Sequence, residues 1–121
     1  MGENQTIGIS YGRGSLFIHG LSGIQSIHYQ HSVINEFAGE HDITIIQRYH
    51  DGDCSGRNAS HHVLQRMLMD VRSNDRPVDY LLFYSVDQLG RDFEGNLGIV
   101  TEISDYVDTV YSVLEQFTFR S

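Results

Sequence analysis

The chain has no lysine and no tryptophan, a single proline (Pro77) and a single cysteine (Cys54). One thiol excludes an internal disulfide, so a reducing, cytoplasmic setting is the expectation. One proline leaves most of the chain free to form regular elements and marks a break near position 77. No apolar run approaches the ~20 residues a membrane helix needs. Met1-Gly2-Glu3-Asn4-Gln5 has neither the basic nor the apolar region of a secretory signal. No membrane association is therefore expected, and the sequons at Asn4 and Asn58 read as chance matches. Without lysine, every strongly basic side chain is an arginine. Eight arginines face sixteen carboxylates, for a net charge of -8 and a pI near 5.1. Such a chain is a poor independent binder of polyanions. A nucleic-acid function has to use a few placed arginines or a separate basic region.

What is present is ordinary globular material: 121 residues, 40% hydrophobic and 20% charged. That composition suits one domain over residues 1–121. Thr6 to Tyr11 is a short β-prone run closed by Gly12 and Gly14, and Ser15 to Ile24 reads as a loop. From Ser26, a plausible N-cap, Ile27, Val33, Ile34, Phe37 and Ala38 fall at helical spacing. Asp42 to Tyr49 is strand-like, and His50 to Ala59 is a polar loop. Ser60 can cap a second helix with Val63, Leu64, Met67, Leu68 and Val71 on one stripe. Ser73 to Pro77 ends it. Val78 to Ser85 is the most apolar strand and is expected at the centre of a sheet. A third helix is expected from about Asp92 to Tyr106, and a last strand over Val107 to Leu114.

The order βαβαβαβ predicts a three-layer α/β/α domain with a mainly parallel sheet of four to five strands. In such sheets, working residues gather beyond the carboxyl ends of the strands. Three polar clusters fall there: Arg13 to Ser15, Asp51 to Arg57, and Asp87 to Arg91. A serine two residues from an arginine suits attack on a phosphate, with guanidinium groups holding the phosphate and its developing charge. The same residues also fit a glycine-rich turn carrying a surface serine. The glycines match neither phosphate-binding loop pattern, GxxxxGK[ST] or GxGxxG. His50, Asp51, Asp53, Cys54, His61 and His62 fit no standard zinc or calcium spacing, so no metal is expected. No GxSxG elbow points to a serine hydrolase.

Taken together, the segments resemble the catalytic domain of the serine recombinases, the resolvase/invertase and large serine integrase family. Tyr11, Arg13 and Ser15 match Tyr-x-Arg-x-Ser after the first strand. Ser26-Ile27-His28-Tyr29-Gln30 matches the opening of the first helix. Tyr49-His50-Asp51-Gly52-Asp53-Cys54-Ser55-Gly56 matches the end of the second strand. Asp87-Gln88-Leu89-Gly90-Arg91 stands where the family has Asp-Arg-Leu-x-Arg, and Glu115 stands in the closing segment. The resemblance implies that Ser15 cleaves and rejoins DNA through a 5′-phosphoserine link, with neither metal nor nucleotide cofactor. It implies Arg13 and Arg91 on the phosphate, Asp87 orienting an arginine or assisting proton transfer, and Tyr11, Gln30 and Asp51 in support. It also implies self-association to dimers or tetramers, and DNA contact through a separate DNA-binding region that this chain does not include. Three features depart from the pattern: Gln88 and His61 stand where the family carries arginines, and the family's glutamine a few residues after the serine is absent, with His19 nearby. They open a second expectation, an impaired relative that acts by association with an active recombinase or another protein.

Overall fold

The computed structural model describes residues 6–13, 23–51, 59–73, 78–85 and 93–119. Among the described residues, five strands and three helices follow in the order β1 (Thr6–Arg13), α1 (Gly23–Glu40), β2 (Ile43–Asp51), α2 (Ala59–Ser73), β3 (Val78–Phe83), α3 (Phe93–Ile103), β4 (Val107–Ser112) and β5 (Phe117–Phe119). The sheet order is β2-β1-β3-β4-β5. The first four strands run parallel, and β5 returns antiparallel to β4. The expected α/β/α fold is therefore the observed one, and Val78–Phe83 is its central strand.

Strand and helix patterns explain the layers. Described positions of β1 after Thr6 are buried through Gly12, as expected of a parallel strand covered on both faces. Ile7, Ile9 and Tyr11 face α2 and α3 and join a continuous apolar core with Leu64, Met67, Leu81, Phe83, Val100 and Ile103. Gly8, Ser10 and Gly12 alternate onto the other face, where α1 packs. A Cβ at Gly8 would stand 2.9 Å from Ile43 Cγ2, so a larger residue would force β1 and β2 to shift. Ile34, Ala38, Ile43, Leu82 and Tyr84 form the smaller core on this face. Among the described residues, no helix is long and apolar enough to cross a membrane.

Several boundaries differ from the sequence reading. Helix α1 begins at Gly23, so Ser26 lies inside its first turns and does not cap it. Helix α2 begins at Ala59, which puts Ser60 inside it as well. Helix α3 stops at Ile103, where Ser104 to Tyr106 turn toward β4. The strand expected over Val107 to Leu114 ends at Ser112, and a hairpin follows it. Val113 to Gln116 turn the chain, with Gln116 at a φ of 53°, and β5 pairs back on β4.

One irregularity interrupts the pairing of β1 with β2. Gly8 pairs with Ile45 and Ile9 with Gln47, so Ile46 is an extra residue on β2. A bulge of this kind reverses the facing of every later side chain on its strand. Before it, Ile43 and Ile45 pack on the α1 side. After it, Tyr49 packs into the α2 and α3 core, while Arg48 and His50 face α1.

Candidate active site at the carboxyl edge of the sheet

Tyr11, Gly12 and Arg13 close β1 at the carboxyl edge of the sheet, and their partners on β2 are Tyr49, His50 and Asp51. Arg13 and Asp51, predicted as phosphate holder and supporting carboxylate, are thus register partners at the ends of adjacent strands. Tyr11 is fully buried and meets Phe83 of β3 edge to face, with centroids 5.5 Å apart. It fixes the end of β1 against the central strand. Tyr49 Oη donates to Asp70 Oδ2 at 2.6 Å, tying the end of β2 to α2. Burial, and then the Asp70 hydrogen bond and charge, push the Tyr49 hydroxyl pKa well up, so it stays protonated as a donor.

Gln30 comes from α1 and is fully buried against the same edge. A Cβ at Gly12 would lie 3.0 Å from Gln30 Oε1 and 3.5 Å from the His31 ring. The glycine is what lets the buried amide approach β1. His61, the third residue of α2, stands in the first turn of that helix. Ser15, Asp87, Gln88 and Arg91 lie outside the described residues, as do the side chains of Arg13, Asp51 and His61. Tyr11 and Gln30 thus flank the end of β1 from opposite faces of the sheet, beside the backbone of Arg13 and Asp51.

Two groups here were not singled out by sequence reasoning. The first fastens the end of β3. Ser85 Oγ donates to Glu115 Oε2 at 2.8 Å, and Ser112 Oγ donates to Glu115 Oε1. Backbone bonds from Val113 N to Phe83 O and from Leu114 N to Tyr84 O carry the pairing past the strand. Ser85 is the last described residue after β3, so Glu115 ties down the carboxyl end of the central strand. Burial, then the charge and hydrogen bond of Tyr29, and then Glu115 raise the Tyr84 hydroxyl pKa. The family's acidic position at Glu115 was the available signal, but its hydroxyl partners were not legible.

The second group is a set of imidazoles on the α1 side. Ser10 Oγ lies 3.4 Å from His31 Nδ1, and the His31 and His50 rings meet edge to face at 6.2 Å. Burial, then the positive groups of His50, Arg48 and His28, depress the His31 pKa to about 4. His31 is therefore neutral at pH 7. Helical spacing places His28 and His31 on one face of α1, but only the β2 bulge brings His50 and Arg48 to them.

Comparisons with known proteins agree with this architecture. The structure resembles that of a resolvase family site-specific recombinase from Streptococcus pneumoniae, with a TM-score of 0.72 and 24% identity, covering 93% of this chain and 75% of that one. It also resembles the N-terminal catalytic domain of TP901-1 integrase, with a TM-score of 0.71 and 22% identity, covering 93% and 81%. At these identities the likeness is one of fold. No curated protein matches the sequence. The family described as Resolvase, N terminal domain matches residues 9–119, nearly the whole chain. With that span and this sheet, the chain belongs to the resolvase N-terminal domain family of serine recombinases.

Proposed function

We propose that this chain is the catalytic domain of a site-specific recombinase and that Ser15 is its nucleophile. One observation carries the reading: Tyr11-x-Arg13-x-Ser15 follows from the end of β1 in a chain whose residues 9–119 match the resolvase family. In this mechanism Ser15 Oγ attacks the scissile phosphorus. An Oγ–P bond forms and the P–O3′ bond breaks. The hydroxyl proton leaves as the 3′ oxygen takes one up, giving a 5′-phosphoserine and a free 3′-hydroxyl. Rejoining runs the same exchange in reverse from a new 3′-hydroxyl, so no external energy source is needed. Arg13 and Arg91 hold the phosphate and offset its developing charge. Asp87 orients an arginine or assists the proton transfer. Gln30 and Asp51 support the end of β1, and Tyr11 fixes it. DNA is held through a separate DNA-binding region, and exchange proceeds in a dimer or tetramer.

A second reading is favoured by Gln88 and His61. A neutral amide cannot replace a guanidinium beside a developing phosphorane, and loss of one such donor typically costs ~10²–10³ in rate. On this reading the protein keeps the fold and acts by association with an active recombinase or another protein. Covalent trapping separates the two. Site DNA nicked beside the scissile phosphate lets a cleaved strand diffuse away, and a denaturing gel reads the protein–DNA adduct. The recombinase reading expects an adduct that Ser15→Ala abolishes. If only the Gln88→Arg, His61→Arg double variant forms one, with a gain of at least ~10²-fold, the second reading holds.

A further inference from the structure

A pocket of about 720 Å³ lies between the first half of α1 and the carboxyl half of β2, on the outer flank of the sheet. Its lining includes His28, His31, Ser32, Asn35, Arg48 and His50, and among the described residues no carboxylate. In a chain with twice as many carboxylates as arginines, that is an unusual local balance. Arg48 is held in place: its Nη2 donates to Asn35 Oδ1 at 3.0 Å, and among the described residues it makes no ion pair. His31 Nε2 is buried and has no hydrogen-bond partner among the described residues. Such an orphan carries a desolvation cost and is normally met by a water, an ion or a ligand.

The β2 bulge is what makes the pocket. Without the extra residue Ile46, the facing of Arg48 and His50 would be reversed toward α2. Bulges recur next to functional sites, where they re-aim side chains. Here the re-aimed side chains are a guanidinium and an imidazole, set opposite two imidazoles and the Ser32 hydroxyl of α1. A guanidinium fork with several adjacent N–H and O–H donors fits a tetrahedral oxyanion.

We propose that this pocket is a phosphate-binding subsite, which holds a backbone phosphate of DNA beside the strand-exchange centre. The DNA source rests on the recombinase reading, whereas the phosphate chemistry does not. His50 is the register partner of Gly12, and His31 follows Gln30, so the subsite adjoins the candidate active site while sharing none of its proposed catalytic residues. Arg48 supplies the permanent charge. His31, faced by His28 of its own helix, by Arg48 and His50 of β2 and by the Ser10 hydroxyl of β1, offers Nε2 to the bound oxygen once protonated. A bound anion raises its affinity for that proton, and binding tightens as pH falls.

Imidazole resonances of the 121-residue chain test this directly. Inorganic phosphate at constant ionic strength is expected to shift His28, His31 and His50 saturably and to raise the pKa of His31. Chloride at the same ionic strength should not. Arg48→Gln, at an exposed strand position, should weaken phosphate binding about tenfold, and Asn35→Ala should weaken it by a smaller factor. A short DNA duplex at low ionic strength should shift the same three histidines and compete with phosphate. No saturable shift, or one that Arg48→Gln leaves unchanged, overturns the subsite. Phosphate binding without any response to duplex overturns the DNA assignment and points to a small phosphorylated ligand. A duplex that is cleaved without moving these histidines removes the subsite and leaves the Ser15 reading intact. Shifted histidines together with no Ser15-dependent adduct on nicked site DNA keep the subsite and count against the Ser15 reading.

Discussion

The two faces of the sheet are built differently. The face under α2 and α3 carries one continuous apolar core that runs from Ile7 through Leu81 to Val110. The face under α1 has a smaller apolar cluster, and toward the carboxyl edge it turns polar, with Ser10, Gln30 and His31 between helix and sheet. Helix α1 packs on β1 and β2, and a groove of about 670 Å³ lies beside it along Phe37, Tyr80, Tyr111 and Val113. Phe37 and Tyr111 stack at 5.1 Å at its wall. The difference teaches a division of labour. One face holds the fold, while the other has less apolar burial and carries the polar groups near the site.

Adjacent residues of β3 give the sharpest test of that division. Leu81 and Leu82 are both fully buried, and they point to opposite faces. Leu81→Ala opens a cavity in a core closed by two helices, and about 4 kcal/mol of stability should be lost. Leu82→Ala faces the groove side, where neighbours can settle into the gap, and should cost about 2.5 kcal/mol. Urea unfolding of the two variants reads the difference. Equal costs would break the comparison.

A smaller effect probes how the firm face holds the site. Tyr49→Phe removes the hydroxyl bond to Asp70 while leaving the ring packed. The loss should be about 1.5 kcal/mol, since the acceptor is a carboxylate but an exposed one. If the strand end depends on this tie, amide exchange near His50 and Asp51 should quicken more than exchange at Ile43. Uniform quickening would mean that the bond acts on global stability alone.

Much of this was legible in the sequence because it depends on local pattern. Val63, Leu64, Met67, Leu68 and Val71 repeat at helical spacing, and that stripe is the one buried. The βα alternation set the parallel topology, and the family resemblance pointed to Tyr11 and Gln30, which lie at the carboxyl edge of the sheet. What escaped is non-local. The strand expected over Val107 to Leu114 overruns β4 by two residues because Val113 and Leu114 continue the apolar run into the turn. The β2 bulge leaves no mark in Ile43-Thr44-Ile45-Ile46, where apolar residues stand on both sides of the slip. Without the bulge, neither the meeting of His31 with His50 nor the Arg48 pocket follows from sequence. The Glu115 clamp joins positions thirty residues apart, a distance no periodicity reports.

The polar face should also reveal itself through pH. His31 has a folded pKa near 4 against 6.5 for an ordinary histidine, because burial and then His50, Arg48 and His28 oppose its charging. Between those two values the unfolded chain binds the proton and the folded chain does not. Stability from this group is therefore complete above pH 6.5, falls as pH drops toward 4, and changes no further below that. Since His31 is only partly buried, solvent screening reduces the swing to about 1 kcal/mol. The urea midpoint of the native chain should decline across this window more steeply than that of His31→Gln, whose side chain cannot titrate. The apolar face contributes nothing to the difference, so the two curves should converge near pH 7 apart from a constant offset. Bound phosphate should flatten the native curve by lifting the folded pKa of His31 toward the unfolded one. If the His31→Gln curve keeps the same slope, the titrating group lies elsewhere, and the electrostatic contrast between the two faces fails.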